Sequence, residues 1–215
     1  MIFRDFFRLD KFARQRKQAL SHRRLRMESL ERRNLLATFL VTTTVDENDI
    51  APFVGSGLSL REAILQANAA PDADIIEFDP VVFAGSKEIL LLSGQLNIAG
   101  TLTINGTGQS RLSINGNNAS RVLNFSASTG DLTLNGLTIT GGKTTANNDS
   151  GGGVRFDSSG TLSLSSSTLS GNSTTGRDAP GGGIRANGAV TLTSSTLSGN
   201  GAAGMAAASM QAVAL

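Results

Sequence analysis

The chain has 215 residues, 25 of them Gly, with no Cys, Trp or Tyr and a single His. Without Cys there is no disulfide framework, thiolate nucleophile or Cys-based zinc site, and with His22 alone neither a Ser-His-Asp triad nor a His-rich metal site assembles. The net charge of +2 joins two unlike parts: residues 1–37 carry 11 Lys or Arg against 4 Asp or Glu, and the remainder carries 8 against 13. The sequence pI near 9.5 therefore describes the leader and gives no ground for a nucleic-acid partner.

The leader comes first in chain order. Residues 14–33 are rich in Arg and lack Gly and Pro, a composition for a basic helical or disordered segment. The longest apolar run, from Leu35 to Val41, is broken by Thr38. A membrane-spanning helix needs about 20 apolar residues and a secretory apolar region about 7–15, so no transmembrane segment is expected. A targeting or processing segment ending near Leu36-Ala37 fits better. Ser29-Leu30-Glu31-Arg32-Arg33-Asn34-Leu35-Leu36-Ala37 resembles the Leu-Glu-Pro-Arg-x-Leu-Leu segment that opens many bacterial surface proteins, although the family's Pro is missing. That resemblance implies sorting to the cell envelope.

A helix is predicted over 59–69. Ser59 at the N-cap and Glu62 three residues later form a capping box, Leu58 and Ala63 hold the staple positions, and Pro71 lies just past the end. Leu60, Ala63, Ile64 and Ala67 make an apolar stripe, suited to covering the open end of a stacked β structure.

Two sets of short strands follow. Ile75-Ile76-Glu77-Phe78, Ile89 to Leu92 and Leu96/Ile98 form one set; Leu102/Ile104, Leu112/Ile114 and Val122/Leu123/Phe125 form the next. Beyond them the chain repeats itself. Asp131-Leu-Thr-Leu-Asn-Gly-Leu-Thr-Ile-Thr-Gly141 aligns with Thr161-Leu-Ser-Leu-Ser-Ser-Ser-Thr-Leu-Ser-Gly171 at an offset of 30, and Val190-Thr-Leu192 with Thr196-Leu-Ser-Gly-Asn200 follows at an offset of 28. Gly151-Gly-Gly-Val-Arg155 recurs as Gly181-Gly-Gly-Ile-Arg185. Within each copy the aliphatics alternate with Ser or Thr at period two, and Gly and Asn mark the turns. Asn-Gly between strands also suits hairpins. One unit copied at a near-constant period, however, is the mark of a parallel β-helix with inward aliphatic ladders. The expected fold is all-β, with about four coils and a fragment spanning residues 38–200, and the segments 143–150 and 173–180 are expected as loops at one corner. Residues 201–215 are Ala-rich and break the pattern, and are read either as a helical cap or as a truncated end.

Leu58-Ser59-Leu60-Arg61-Glu62-Ala63-Ile64 resembles the CSLREA motif of bacterial surface β-helix proteins, with Leu58 in place of the family's Cys. Its flanks agree, in Val41-Thr-Thr-Thr-Val-Asp46 before and Asp74-Ile-Ile-Glu-Phe-Asp79-Pro80 after, and the resemblance covers about residues 39–200. It implies a right-handed, pectin-lyase-like β-helix, often the N-terminal part of a larger exported protein. Lyases of that fold typically gather Asp residues for Ca²⁺ and use Arg or Lys as a base.

Here Asp131, Asp149, Asp157 and Asp178 are scattered over the repeat. Glycoside hydrolysis wants two carboxylates about 5–9.5 Å apart, and Asp149 with Asp178, in successive corner loops, is the pair to test. Solvated loop acids are the commoner outcome, and no catalytic, cofactor or metal site is assigned. Arg155 and Arg185 fall at equivalent positions of successive coils and form, with Asp149 and Asp178, a candidate surface strip for an acidic glycan. The alternative is a charged outer face that discourages edge pairing. Asn172 and Asn200 are expected as a structural ladder, alongside the capping pair Ser59 and Glu62. The resulting expectation is a non-catalytic, extracellular or envelope-exposed module whose partner is a surface glycan or envelope component. The competing class is a polysaccharide-binding or polysaccharide-degrading protein.

Overall fold

The computed structural model describes residues 36–49, 55–70 and 72–203, with the backbone of a short strand at 213–214. The leader up to residue 35, residues 50–54, Pro71 and the rest of the tail lie outside the described residues.

Strand β1 (Thr38–Val41) comes first and is followed by helix α1 (Leu60–Ala69). Strands β2 (Asp74–Phe78), β3 (Lys87–Leu90) and β4 (Leu96–Ile98) form the first coil. Strands β5 (Leu102–Asn105), β6 (Leu112–Asn115) and β7 (Leu123–Phe125) form the second. The third coil holds β8 (Leu132–Asn135), β9 (Thr138–Thr140), β10 (Lys143–Thr144) and β11 (Val154–Phe156). The fourth repeats it as β12 (Thr161–Ser165), β13 (Thr168–Ser170), β14 (Ser173–Thr174) and β15 (Ile184–Ala186). Strands β16 (Ala189–Thr193), β17 (Thr196–Ser198), β18 (Gly201–Ala202) and β19 (Val213–Ala214) carry the ladder further.

Each strand pairs in parallel with its counterpart one coil away, giving sheets ordered β1-β2-β5-β8-β12-β16-β19, β3-β6-β9-β13-β17, β4-β7-β11-β15 and β10-β14-β18. This is a parallel β-helix. The repeat dictates its register. Leu102, Leu132, Leu162 and Val190 stand in one column, and Ile104, Leu134, Leu164 and Leu192 in another. On the next side Ile89, Ile114, Ile139, Leu169 and Leu197 stack. The third side stacks Ile98, Phe125, Phe156 and Ala186, with the Phe125 and Phe156 rings 4.8 Å apart. Most of these side chains are fully buried, and each such burial stabilises by about 1.5–3 kcal/mol. Burial thins at the last coil, where Ile184, Val190, Leu192 and Leu197 are only partly covered.

Two features depart from the sequence reading, and a third is explained by the structure. The corner segments expected as loops open with the paired strands β10, β14 and β18, which form a fourth, narrow sheet. The ladder also runs past Asn200, through β18 and β19, whereas the tail was expected to leave the pattern. The change of period from 30 to 28 is a shortened turn: Asp157-Ser158-Ser159-Gly160 between β11 and β12 becomes Asn187-Gly188 between β15 and β16.

The corners repeat as well. Gly141, Gly171 and Gly199 occupy one position in successive coils with φ of 60°, 65° and 60°. A Cβ at Gly171 would meet only Thr140 Oγ1, at 3.6 Å, so left-handed backbone rather than space requires Gly there. At the other corner Gly136 is followed by Ser166 and Ser194, also left-handed.

Helix α1 packs against β1, β2 and β4, and its stripe Leu60, Ala63, Ile64 and Ala67 is buried in the first-coil core. The capping box is complete: Ser59 Oγ accepts from the Glu62 N–H at 3.1 Å, and Glu62 Oε2 accepts from the Ser59 N–H at 2.9 Å. Glu62 Oε1 also accepts from the Asp49 N–H, so one carboxylate ties the helix start to the preceding loop. Leu58 is partly buried against the core.

Candidate functional site

The sheet β4-β7-β11-β15 presents two of the residues proposed from sequence, Arg155 and Arg185. Its strands are three residues long, so the central side chain of each points outward. Asn97, Asn124, Arg155 and Arg185 are thereby placed in one column in register. Neighbouring strands lie about 4.8 Å apart, a spacing at which two unscreened guanidinium groups repel.

Two carboxylates interleave with these cations. Asp157, just after β11, places Oδ2 2.8 Å from Arg155 Nε and bonds Arg185 Nη1 through Oδ1. Asp149, in the corner segment, pairs with Arg121 Nη2 and lies 3.8 Å from Arg155 Nη1. The result is an alternating chain, Arg121–Asp149–Arg155–Asp157–Arg185, that runs across three coils. Arg155 and Arg185 remain about one-third exposed, with side-chain accessibilities of 36%. Each exposed pair contributes roughly 0–1 kcal/mol. The chain holds three cations and two anions.

Arg121 was not singled out in the sequence, and it is the best-anchored member. Its side chain is 4% exposed, and its Nε donates to the Gly151 carbonyl at 2.7 Å. Nη2 donates to the Ser150 carbonyl at 2.9 Å and Nη1 to Gln95 Oε1 at 2.9 Å. Arg121 thus braces the corner segment of the third coil and reaches back to the first. The signal in the sequence was an Arg directly preceding the inward run Val122-Leu123.

Asp178 does not join this strip. Asp149 and Asp178 are not counterparts: Thr144 Oγ1 donates to the Asp149 carbonyl, and Thr174 Oγ1 donates to that of Ala179, so Asp149 corresponds to Ala179. Asp178 corresponds to Asn148, and both adopt left-handed backbone, with φ of 54° and 61°. Asp178 is exposed and makes no ion pair among the described residues.

Comparisons with family models, with curated proteins and with solved structures gave no match. The reading of function therefore rests on the residues themselves.

Two further polar constellations are internal. Asn172 is fully buried at a corner, where its Oδ1 accepts from the Gly142 N–H at 2.9 Å. Its Nδ2 donates to the Ile139 carbonyl, the Ser170 carbonyl and Asn200 Oδ1. Asn200 Oδ1 also accepts from the Asn172 N–H, and Asn200 Nδ2 donates to the Leu169 carbonyl at 2.9 Å. This is the expected Asn ladder, and it satisfies backbone groups that the corner turns leave unpaired. Ser167 and Ser195 form a similar ladder at the opposite corner, accepting from the Leu137 and Ser167 N–H groups.

The second constellation locks the cap. Asp46 is buried and accepts from Arg61 Nε at 2.8 Å and Nη2 at 3.0 Å. It also accepts from the Leu92 and Ser93 N–H groups, at 2.7 and 2.9 Å. Burial pushes the Asp46 carboxyl up, but the Arg61 bonds and the two backbone donors outweigh it and hold the group below its ordinary range. Arg61 in turn donates to the Gly94 and Gln95 carbonyls. The turn between β3 and β4 is thereby clamped to the helix, with Leu92 on its outer side at 68% exposure.

Proposed function

We propose that this protein is a non-catalytic, exported β-helix module that presents its polar ladder face at the cell envelope, in adhesion or surface structure. The observation that carries the reading is the engagement of Asp149 and Asp157. Both acids beside the outward Arg column bridge guanidinium groups of successive coils. Carboxylate oxygens already engaged by guanidinium groups of the fold are not free to take a proton from, or attack, a bound sugar. The basic leader with its Leu-Glu-Pro-Arg-x-Leu-Leu resemblance supports export, and the CSLREA resemblance of 58–64 supports membership among bacterial surface β-helix proteins. In this chain those motif residues act in the cap: Ser59 and Glu62 start the helix, and Arg61 holds Asp46.

A second reading, acidic-glycan binding, is favoured by the cation excess of the Arg121–Arg185 chain and by the exposure of Arg155 and Arg185. Polysaccharide cleavage is the rival class. Protease shaving of intact cells, followed by mass spectrometry, tests the first reading: peptides from 38–200 released without lysis support it, and their appearance only after lysis contradicts it. A glycan array probed with the full chain and with Arg155→Ala/Arg185→Ala tests the second. Binding to uronate glycans that the double variant loses supports it, and silence of the wild type removes it.

A further inference from the structure

The junction of leader and solenoid contains a carboxylate that the fold leaves half-satisfied. Asp74, the first residue of β2, is 1% exposed. Its Oδ1 accepts from the Ala37 N–H at 3.2 Å. Its Oδ2 is buried and has no hydrogen-bond partner among the described residues. None of the ion pairs among the described residues involves Asp74. An ionised carboxylate in such a place is costly unless a cation or further donors reach it.

The group nearest to it lies where the ladder begins. The Ala37 carbonyl accepts from the Ile75 N–H at 2.9 Å, and Thr38 pairs with Ile75, so the Ala37 nitrogen is fixed against Asp74 by β1. Leu36, one residue earlier, is 63% exposed. Leu36–Ala37 is thus the peptide bond whose nitrogen meets Asp74, just ahead of β1. As an amide, the Ala37 nitrogen offers one proton and no charge. As a free amino group it would offer three N–H donors and a positive charge, enough for both oxygens of Asp74.

We propose that Leu36–Ala37 is a processing bond and that Asp74 is the receptor for the N-terminus which its hydrolysis creates. Water adds across the bond under an endopeptidase that accepts Leu-Leu on the leader side. The Leu36 carbonyl carbon gains the hydroxyl and becomes a carboxylate, and the Ala37 nitrogen leaves as an amine that is protonated at neutral pH. Docking of β1 against β2 holds the new ammonium at Asp74. The pairing favours the charged amine, so the processed chain gains stability that is fully present below about pH 8 and lost as the pH rises through the raised value.

The inference rests on the reading of residues 1–37 as an address, and the two are separable by experiment. The full chain is isolated from the envelope of the cells that make it, and its N-terminus is read by mass spectrometry. Ala37 is the expected first residue. An intact leader, or an N-terminus elsewhere, on protein found at the surface overturns the processing bond and leaves the surface reading standing. Ala37 as first residue on protein absent from the surface does the reverse. The α-amino group of the isolated product is then ¹³C-methylated and titrated by NMR. Its pKa is expected about one unit or more above that of a free Ala-Thr-Phe peptide, and Asp74→Asn is expected to abolish the difference. A wild-type value equal to the peptide's overturns the role of Asp74, whether or not the variant folds.

Discussion

Replacing Asp46 by Asn tests how the cap is fastened. The carboxylate accepts four hydrogen bonds, one on Oδ1 from Arg61 and three on Oδ2 from Arg61, Leu92 and Ser93. Asn keeps a single acceptor atom and presents an NH₂ group to a neighbour that only donates, so at least one Arg61 bond becomes a donor–donor contact. Removing one partner of a buried ion pair costs about 3–5 kcal/mol, a large share of the roughly 5–15 kcal/mol that holds a domain folded. The cap is therefore expected to loosen before the coils do. Urea unfolding of the full chain at pH 7 measures the loss. Repeating it at lower pH separates charge from shape: because the folded Asp46 carboxyl lies below its ordinary value of 3.8, its contribution is complete above that value and is lost as the pH falls through the folded one. The gap between wild type and D46N should thus narrow below about pH 4. A gap under 1 kcal/mol at pH 7, or one unchanged down to pH 3, would refute the clamp.

Other substitutions probe the ladders. Asn172→Ala orphans the buried Gly142 N–H and removes the donors to Ile139 and Ser170, so a loss of about 2–4 kcal/mol is expected in urea unfolding, against about 1 kcal/mol for Asn200→Ala at the thinly covered end. Phe156→Ala opens a cavity against Phe125 and is expected to cost about 3–5 kcal/mol in the same assay. Asp157→Asn leaves Arg155 and Arg185 facing each other and should cost about 0.5–1 kcal/mol at low salt, shrinking as salt is raised in a thermal melt. Ser166→Gly, at φ of 46°, should stabilise by about 0.5–1 kcal/mol by relieving left-handed backbone.

The inward ladders were legible because they depend on a period of two and on an offset that the chain repeats. Leu132, Leu162 and Val190 could be stacked on paper, as could Asn172 on Asn200. The capping box was legible because Ser59 and Glu62 meet within one helical turn. The Asp46–Arg61 clamp was not, since it joins residues 15 apart through a loop and then reaches backbone donors 46 and 47 residues away. Arg121 escaped notice for a related reason: a buried Arg is defined by its partners, and Gln95 and Gly151 lie on coils before and after it. The narrow sheet of β10, β14 and β18 is built from two-residue strands, too short for alternation to register. Asp149 and Asp178 could be placed in successive corner loops, but which loop acid meets an Arg depends on its position within the loop. The Thr144 and Thr174 hydroxyls show that Ala179, not Asp178, stands where Asp149 does.

The central claim is that Asp149 and Asp157 brace the Arg column and perform no chemistry. The direct measurement is a uronate-release and reducing-end assay of the full chain on acidic polysaccharides, run beside Asp149→Asn/Asp157→Asn. No product from the wild type, with only a salt-dependent loss of stability in the variant, is the expected result. Turnover by the wild type that the double variant loses while still folded would contradict it.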